Sequence, residues 1–485
     1  MIGPMDGYET FDATALAALV RAGETTPEAL LDAALARVRA LDPALRFMAS
    51  LREETARAAI RGGLPDGPFR GVPFLLKDLG GDARDYPASG GSRLTEGTAL
   101  DYDGTLWERM RATGVVAFGR TTAPEFGVGP ATEAALYGGP TRNPWDPERT
   151  AGGSSGGAAV AVAAGVVPMA HGSDGGGSIR IPASCCGLLG FKATRARFPD
   201  GPASGEGWAG MAIEGVLTRT VRDAAAMMDA AAGEDEGAPY HAPRLREGFL
   251  AATRRPPGRL RVGVCETTFG GEAIHPDCRA AVREAADLLS DLGHAVEPAR
   301  PEADHEGMMR AWTRIVACGT ALTVRQALAR RGRALRQGDL EGVALGALRY
   351  AAGIDGAAYL EAVETVHLYG RAMARAFRGI DVLLTATLAE PPARVGRFAH
   401  ATEDFEAFRI GPEGVFRYSP FCAAFNASGQ PAVSVPLHWS PAGLPIGVQL
   451  AAPFGEDERL ASLCAELEAA RPWAGRRPAV GTMAG

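Results

Sequence analysis

Apolar positions near the start of the chain follow the spacing of helices. Residues 11–40 predict two helices. The segment Thr25-Thr26-Pro27-Glu28 predicts the start of the second one, with a capping threonine and proline at the first helical position. The apolar side chains that follow recur every three to four residues, at Leu30, Leu31, Ala34, Val38 and Leu41. This pattern is typical of an amphipathic helix with one buried face.

Short apolar runs alternate with further helical segments along the rest of the chain. Phe74-Leu75-Leu76 predicts a short buried strand with Lys77 at its end, and the run from Gly114 to Arg120 predicts another. We also expect strands at 260–265, 295–298, 381–387, 431–437 and 445–451, and helices at 220–235, 276–293, 305–380 and 456–470. This alternation favours an α/β fold in which a large sheet lies between helical layers. We expect one domain over residues 1–485, with a helical subdomain near 305–380.

Composition and charge exclude several classes of function. The 485 residues are 46% hydrophobic and 22% charged, with a net charge of −7. A weakly acidic chain without a basic cluster has no electrostatic reason to bind nucleic acid or an anionic membrane. The N-terminus shows no signal peptide, and the most apolar segment, Gly157–Ala170, is too short to span a bilayer and predicts a buried helix. We therefore expect a cytoplasmic protein.

The seven cysteines predict neither disulfides nor a metal site. Their number is odd, the chain is long, and no two of them form a CxxC motif. We therefore expect no metal and no disulfide framework. The cysteines are scattered along the sequence at Cys185, Cys186, Cys265, Cys278, Cys318, Cys422 and Cys464.

Lysine is rare in this chain. Of 50 basic residues only Lys77 and Lys192 are lysines, and the others are arginines. Arginine replaces lysine well on a surface, but it does not lose its proton at usable pH. A retained lysine is therefore a candidate for a group that must deprotonate, whereas chance or tight packing explains the composition equally well. Lys192, in Gly-Phe-Lys-Ala-Thr, is expected to be structural.

Two glycine- and serine-rich clusters flank a short apolar segment. The first is Thr150-Ala-Gly-Gly-Ser-Ser-Gly-Gly157, and the second is His171-Gly-Ser-Asp-Gly-Gly-Gly-Ser178. Three consecutive glycines before Ser178 let several N–H groups point at one spot, as in an oxyanion hole. A flexible linker is the other interpretation, but the residues after Ser178 have the pattern of a core.

Several mechanisms could use these serines. Gly153-Ser-Ser-Gly-Gly157 matches a nucleophile elbow around Ser155, but that motif needs a strand before it, and the preceding residues predict a loop. A triad of Ser178, His171 and Asp174 would draw three residues from one loop, which rarely gives triad geometry, so His171 is expected to support the site or the structure. No phosphate-binding glycine-lysine motif is present.

A lysine base with a serine nucleophile is the remaining arrangement. A neutral lysine can take the proton of a serine hydroxyl. The lysine pKa must fall by roughly three units from about 10.4, which burial can supply. Lys77, at the end of an apolar strand, is in a suitable place, although the neighbouring Asp78 opposes the shift unless it is turned away.

The sequence resembles the amidase signature family over nearly its whole length. The motifs that carry the resemblance are Val72-Pro-Phe-Leu-Leu-Lys-Asp78, Gly119-Arg-Thr-Thr-Ala-Pro-Glu-Phe-Gly127, Thr141-Arg-Asn-Pro-Trp145, the segment 150–194, Asn426-Ala-Ser-Gly-Gln-Pro431 and Gly443-Leu-Pro-Ile-Gly-Val-Gln449. The resemblance implies a large mixed sheet flanked by helices, with a signature core at about 70–220, and an enzyme that needs no cofactor.

The resemblance also implies a set of site residues. Ser178 corresponds to the acylated nucleophile, Ser154 to a bridging serine that follows a cis peptide bond, and Lys77 to the base. The N–H groups of residues 175–178 would form the oxyanion hole, and three further side chains would hold the loops by hydrogen bonds. The glycines of the hole are Gly175, Gly176 and Gly177, and the supporting residues are Ser155, Asp174 and Arg180.

Some features are similar to the branch of the family that contains 6-aminohexanoate cyclic-dimer hydrolase. These are Asp-Gly-Gly-Gly-Ser, in which Gly175 stands where many members have threonine, the stretch Gly205–Trp208, and the C-terminal stretch Ala470–Pro478. We expect a free-standing amidase that hydrolyses a small amide through an acyl-enzyme. The homodimer that such enzymes commonly form is a further expectation.

The sequence is compatible with two other functions. The chain could be the glutaminase component of a tRNA-dependent amidotransferase, but such components tend to carry an acidic residue where this chain has Arg417–Phe421. A non-catalytic binding protein is disfavoured because all three triad positions are filled. Substrate choice is expected to depend on residues 200–215 and 305–420, where the candidate pocket residues are Trp208, Trp312, Cys318 and, just beyond, Phe425.

Overall fold

A computed structural model describes residues 7–480, which form a large mixed α/β structure. An eleven-stranded sheet runs through them in the order β1-β3-β2-β6-β8-β7-β12-β13-β11-β9-β10, and β4 and β5 form a separate ribbon. The strands are β1 Met48–Leu51, β2 Pro73–Lys77, β3 Val116–Thr121, β4 Arg142–Asn143, β5 Asp146–Thr150, β6 Met169–Asp174, β7 Leu189–Lys192, β8 Ile213–Thr218, β9 Arg261–Val264, β10 Ala295–Pro298, β11 Val382–Ala386, β12 Ala432–Trp439 and β13 Pro445–Ala451.

The sheet combines parallel and antiparallel pairs. Strand β2 is parallel to β3 and β6, and β9 is parallel to β10 and β11, whereas β6, β7 and β8 pair antiparallel, as do β11, β12 and β13. Strand β2 is buried over its whole length, which explains its unbroken apolar sequence. The prediction of an α/β fold with a large mixed sheet and flanking helices is confirmed.

Helices pack against this sheet and against each other. They are α1 Ala13–Arg21, α2 Pro27–Leu45, α3 Glu53–Gly62, α4 Thr105–Ala112, α5 Gly156–Ala163, α6 Arg180–Cys186, α7 Val221–Ala231, α8 Phe249–Ala252, α9 Pro276–Asp291, α10 His305–Arg331, α11 Gly342–Ala352, α12 Gly356–Ala376, α13 Phe405–Ile410, α14 Val415–Tyr418, α15 Cys422–Ala427 and α16 Asp457–Ala470. In α2 the Thr26 hydroxyl accepts from the N–H of Ala29 at 3.1 Å, as the capping pattern predicts.

Helices α10, α11 and α12 fill most of the region that the sequence assigns to a helical subdomain. Helix α10 contacts both α11 and α12, and it also contacts α13 and α15. The subdomain and the single domain over 1–485 stay predictions, and residues 1–6 and 481–485, including the start of the stretch considered for a signal peptide, lie outside the described residues. Within residues 7–480 no helix combines the length and the apolar character that crossing a bilayer requires.

The segment Gly157–Ala170 differs from its prediction as one buried helix. Helix α5 ends at Ala163, and β6 begins at Met169. Gly165 has a φ of 71°, which a helix cannot accommodate, and Pro168 lacks the N–H that a continuing helix would need. The second serine cluster therefore begins on a buried strand rather than in a loop, and α6, which directly follows Ser178 and Ile179, was not predicted.

Candidate active site

Lys77 lies close to the two serine-rich clusters because strands β2 and β6 are neighbours in the sheet. Leu75 pairs with Ala170 in parallel register, so Lys77 comes level with Gly172, next to Ser173. The Lys77 side chain is fully buried, and its Nζ donates to Ser154 Oγ at 2.6 Å and to Ser173 Oγ at 2.8 Å. Burial lowers the pKa of Lys77 to about 7, against the opposing charges of Glu214 and Asp174. A substantial fraction of this lysine is therefore neutral near pH 7.

Asp78 is turned away from the lysine that it follows. Its carboxylate accepts hydrogen bonds from the N–H of Ser89 at 2.8 Å and from the hydroxyl of Tyr137 at 2.5 Å. Successive side chains of a strand point to opposite faces, and Asp78 directly follows the last residue of β2. The Asp78 carboxylate therefore bonds to Ser89 and Tyr137 rather than to the ammonium group of Lys77.

The first serine cluster is tied to the second through Ser155. The peptide bond between Gly153 and Ser154 is cis. The N–H of Ser155 donates to the carbonyl of Ser178 at 3.1 Å, and its hydroxyl lies 3.2 Å from both the carbonyl oxygen and the N–H nitrogen of Ser173. Ser154 and Ser178 line the same cavity. Lys77 thus contacts Ser154 directly, and Ser154 shares its cavity with Ser178.

The loop that carries Ser178 is shaped by the carboxylate of Asp174. This buried group accepts hydrogen bonds from the N–H of Gly177 at 2.7 Å and of Ile179 at 3.2 Å. Arg180 donates to it through Nε and Nη2, both at 2.9 Å. Burial alone would raise the pKa of Asp174, but the Arg180 charge and the hydrogen bonds hold it well below its usual range. Asp174 is therefore a fixed anion around which the loop folds.

Two residues from the C-terminal third complete this buried network. Arg180 Nη1 donates to Gln449 Oε1 at 2.7 Å, and Arg180 Nη2 donates to Asn426 Oδ1 at 2.6 Å. Asn426 Nδ2 donates to the carbonyl of Asp174 at 2.8 Å. Both lie in motifs that carried the family resemblance, but no site role followed from the sequence, because Arg180 and Asp174 are more than 240 positions away from them.

The N–H groups around Ser178 differ in their availability. Within residues 7–480, the N–H groups of Gly175, Gly176 and Ser178 have no hydrogen-bond partner. The N–H of Gly177 donates to Asp174, so this structure removes Gly177 from the predicted set of oxyanion donors. Three unpaired N–H groups beside a serine hydroxyl form a suitable cradle for a carbonyl oxygen that becomes negative.

His171 forms a hydrogen bond with the backbone of Lys77 and is not part of a triad with Ser178. Its Nδ1 accepts from the N–H of Lys77 at 3.2 Å, so its Nε2 carries the proton that faces Glu214 Oε2 at 3.1 Å. Burial would raise the pKa of Glu214, but His171, the N–H of Gly81 and the Lys77 charge hold it below its usual range. Glu214 was missed, because a single glutamate in a strand gives no sequence signal.

A cavity of about 490 Å³ opens beside the serines. Of the four candidate pocket residues only Trp208 lines it, whereas Trp312, Cys318 and Phe425 do not. Trp312 packs behind Trp208, and Phe425 is part of the core. The long helix α10 contributes polar residues to the wall, and other segments contribute more; those from α10 are Thr320, Thr323, Gln326 and Arg330.

Lys192 lies at the end of β7 and does not contact the serines. Its Nζ donates to the carbonyl of Ala193 at 2.8 Å. Burial, followed by the charge of Arg180, lowers the pKa of Lys192 to about 7. The sequence-based assignment of Lys192 to a structural position agrees with these contacts.

Comparisons with known proteins give the same class as the site. The family model Amidase matches residues 29–461, so the chain belongs to the amidase family and is a hydrolase of amide bonds. It is 38% identical over 478 residues to 6-aminohexanoate-cyclic-dimer hydrolase of Pseudomonas sp. (strain NK87), covering 96% of each chain. The prediction of amidase signature membership, with a likeness to this branch, is confirmed.

Solved structures of the family extend the likeness to the fold. A 6-aminohexanoate cyclic dimer hydrolase complexed with substrate matches with a TM-score of 0.92 and 36% identity, over 98% of this chain and 100% of that one. One component of the glutamyl-tRNA(Gln) amidotransferase of Thermotoga maritima matches with a TM-score of 0.79 and 27% identity, over 98% of each chain. The amidotransferase alternative is the less favoured of the two.

Proposed function

We propose that this chain is a free-standing amidase in which Ser178 is the nucleophile, Ser154 the proton relay and Lys77 the base. The observation that carries the proposal is the hydrogen bond of 2.6 Å from Lys77 Nζ to Ser154 Oγ, made by a lysine whose pKa is lowered to about 7. A neutral amine at this distance can accept a proton from the serine hydroxyl.

The reaction proceeds through an acyl-enzyme. Ser178 Oγ attacks the amide carbon while its proton passes to Ser154 Oγ, and the proton of Ser154 passes to Lys77 Nζ. The carbonyl oxygen becomes negative, and the N–H groups of Gly175, Gly176 and Ser178 stabilise it. The C–N bond then breaks, and the same relay returns the proton to the leaving nitrogen. Water attacks the ester in the second step, which releases the acid and regenerates Ser178.

The substrate is proposed to be a small amide, linear or cyclic. A cavity of about 490 Å³ accommodates a small ligand, and its wall combines apolar with polar side chains. The relatives named for hydrolysis of a cyclic amide dimer support including cyclic amides in the substrate class. Lys77, Ser154 and Ser178 all come from this chain, so the proposed proton relay uses no residue from a partner.

A panel of amides tests the proposal, with Ser178→Ala as the matched variant. The panel contains glutamine, aryl and fatty amides, and short linear and cyclic oligoamides, and the readout is release of amine or ammonia. We expect turnover of one class by the purified chain and a loss of about 10⁴-fold or more in Ser178→Ala. Turnover that survives this substitution would contradict the nucleophile assignment. Activity on glutamine alone would favour the glutaminase component of an amidotransferase instead.

Two further expectations concern the cellular context. The homodimer and the cytoplasmic location stay predictions from the sequence. Light scattering after size-exclusion chromatography measures the first, and we expect twice the chain mass of 50.4 kDa. A mass of one chain in solution would contradict it.

A further inference from the structure

The indole of Trp208 lies between two glycines from different parts of the chain. A Cβ atom added at Gly175 would stand 2.5 Å from Trp208 Cζ3, and one added at Gly319 on α10 would stand 2.7 Å from Trp208 Cδ1. Neither glycine has a positive φ, so the backbone does not require glycine at these positions. The contact with the indole explains why both positions lack a side chain.

A second tryptophan holds the neighbouring glycine in the same way. A Cβ atom at Gly176 would stand 2.6 Å from Trp312 Cη2. The rings of Trp208 and Trp312 meet edge to face, with centroids 6.0 Å apart, and Arg409 Cζ lies 4.3 Å from the centroid of the Trp312 ring. Trp312 and Arg409 are buried, so the indole of Trp208 is backed by a packed layer and cannot easily retreat.

Trp208 is the member of this pair that reaches the cavity. It lines the cavity together with Gly175 and Ser178, whereas Trp312 does not. Its backbone has a φ of 49°, which residues with a large side chain rarely adopt. Such a conformation persists only where the surrounding structure holds it, and such sites cluster at functional positions.

We propose that Trp208 determines specificity by limiting the size of the acyl group beside Ser178, and that Gly175 and Gly319 are glycines in order to seat it. The inference rests on the proposed function. The acyl group stays on Ser178 through both steps, with its oxygen at the N–H groups of Gly175 and Gly176. Because the indole of Trp208 packs directly on Gly175, it limits the width of the acyl group. The preferred substrates are therefore amides with a slender, unbranched acyl chain.

Double variants, in which each glycine substitution is combined with each tryptophan substitution, test which ring packs against which glycine. Gly175→Ala should lower kcat/KM about 100-fold, because the loop and its N–H groups must shift. Adding Trp208→Ala should restore activity to within about tenfold of Trp208→Ala alone, whereas adding Trp312→Ala should not. For Gly176→Ala the pattern should reverse, with rescue by Trp312→Ala. Full activity of Gly175→Ala, or equal rescue by both tryptophan variants, would overturn the proposal.

The size limit is tested with two fluorophosphonates, one bearing a straight alkyl chain and one a branched chain. They label an active serine whether or not the right amide is known. Trp208→Ala should raise the labelling rate of the branched probe relative to the straight one by about tenfold or more, and Trp208→Phe should fall between. Trp439→Ala, which removes an indole that contacts Trp145 instead, should leave the ratio unchanged.

The outcomes separate this inference from the proposed function. Labelling of Ser178 with an unchanged ratio in Trp208→Ala would overturn only the role of Trp208. Wild-type protein that neither probe labels would overturn the nucleophile assignment and the size limit together.

Discussion

Lys77 and Lys192 are the two lysines of the chain, and both are buried, but they differ in their hydrogen-bond partners and in the charges around them. Each ends a buried strand, and burial lowers the pKa of each to about 7. Lys77 donates to two serine hydroxyls beside a cavity, whereas Lys192 donates to the carbonyl of Ala193. Burial lowers the pKa of a lysine in both places. A lysine can act as a catalytic base only where a hydroxyl group lies next to it, and this holds for Lys77 alone of the two.

Replacing each lysine by methionine should separate them most strongly. We expect Lys77→Met to lose about 10⁴-fold in kcat, because the proton of Ser154 then has no acceptor. Lys192→Met removes a buried charge at similar volume and should keep kcat to within about tenfold. Steady-state kinetics on the amide found with the panel measures both. Equal losses of kcat in the two variants would contradict the assignment of Lys77, and not Lys192, as the base.

The network next to Lys192 is expected to contribute to stability. Arg180→Met leaves the buried carboxylate of Asp174 without its charge partner, and we expect a loss of about 3–5 kcal/mol in the free energy of unfolding. The matched control is Arg417→Met, which breaks an exposed pair with Glu272 and should cost no more than about 1 kcal/mol. Urea unfolding compares the two, and similar midpoints would contradict the structural role of Arg180.

Ser173→Ala should have the smallest effect. Lys77 keeps its bond to Ser154 and loses only the second one, at 2.8 Å, to Ser173. A single hydrogen bond to such a group corresponds to a fall of about tenfold in kcat/KM. A loss as large as that of Lys77→Met would mean that Ser173, rather than Ser154, carries the proton.

The sequence predicted what depends on local pattern and spacing. The strand that ends at Lys77, the cap of α2 and the two serine clusters all follow from residues close together in the chain. The roles of Asn426, Gln449 and Glu214 could not be predicted, since they depend on contacts across the sheet and between distant segments. The break at Gly165 and Pro168 was missed because apolar residues on both sides concealed it.

The loop of residues 175–178 also has features that the sequence alone did not predict. The sequence predicted that residues 175–178 all supply N–H donors to the oxyanion hole, but the N–H of Gly177 donates to the carboxylate of Asp174. The tryptophans that pack against Gly175 and Gly176 are Trp208, in the segment before β8, and Trp312, in α10. Their positions against the loop follow from tertiary packing, and no periodicity in the sequence encodes it.

In the proposed mechanism neutral Lys77 activates Ser178, and the pH dependence of covalent labelling tests this role most directly. The rate at which a fluorophosphonate modifies the protein is measured from pH 5 to 9, and peptide mapping locates the adduct. Because the active form is the deprotonated one, the rate should rise about tenfold per pH unit and level off above a midpoint near 7, the value to which burial lowers the pKa of Lys77. Lys192→Met should keep this profile, and Lys77→Met should lose the labelling. An adduct on Ser154 or Ser155, or unchanged labelling of Ser178 in Lys77→Met, would contradict the account.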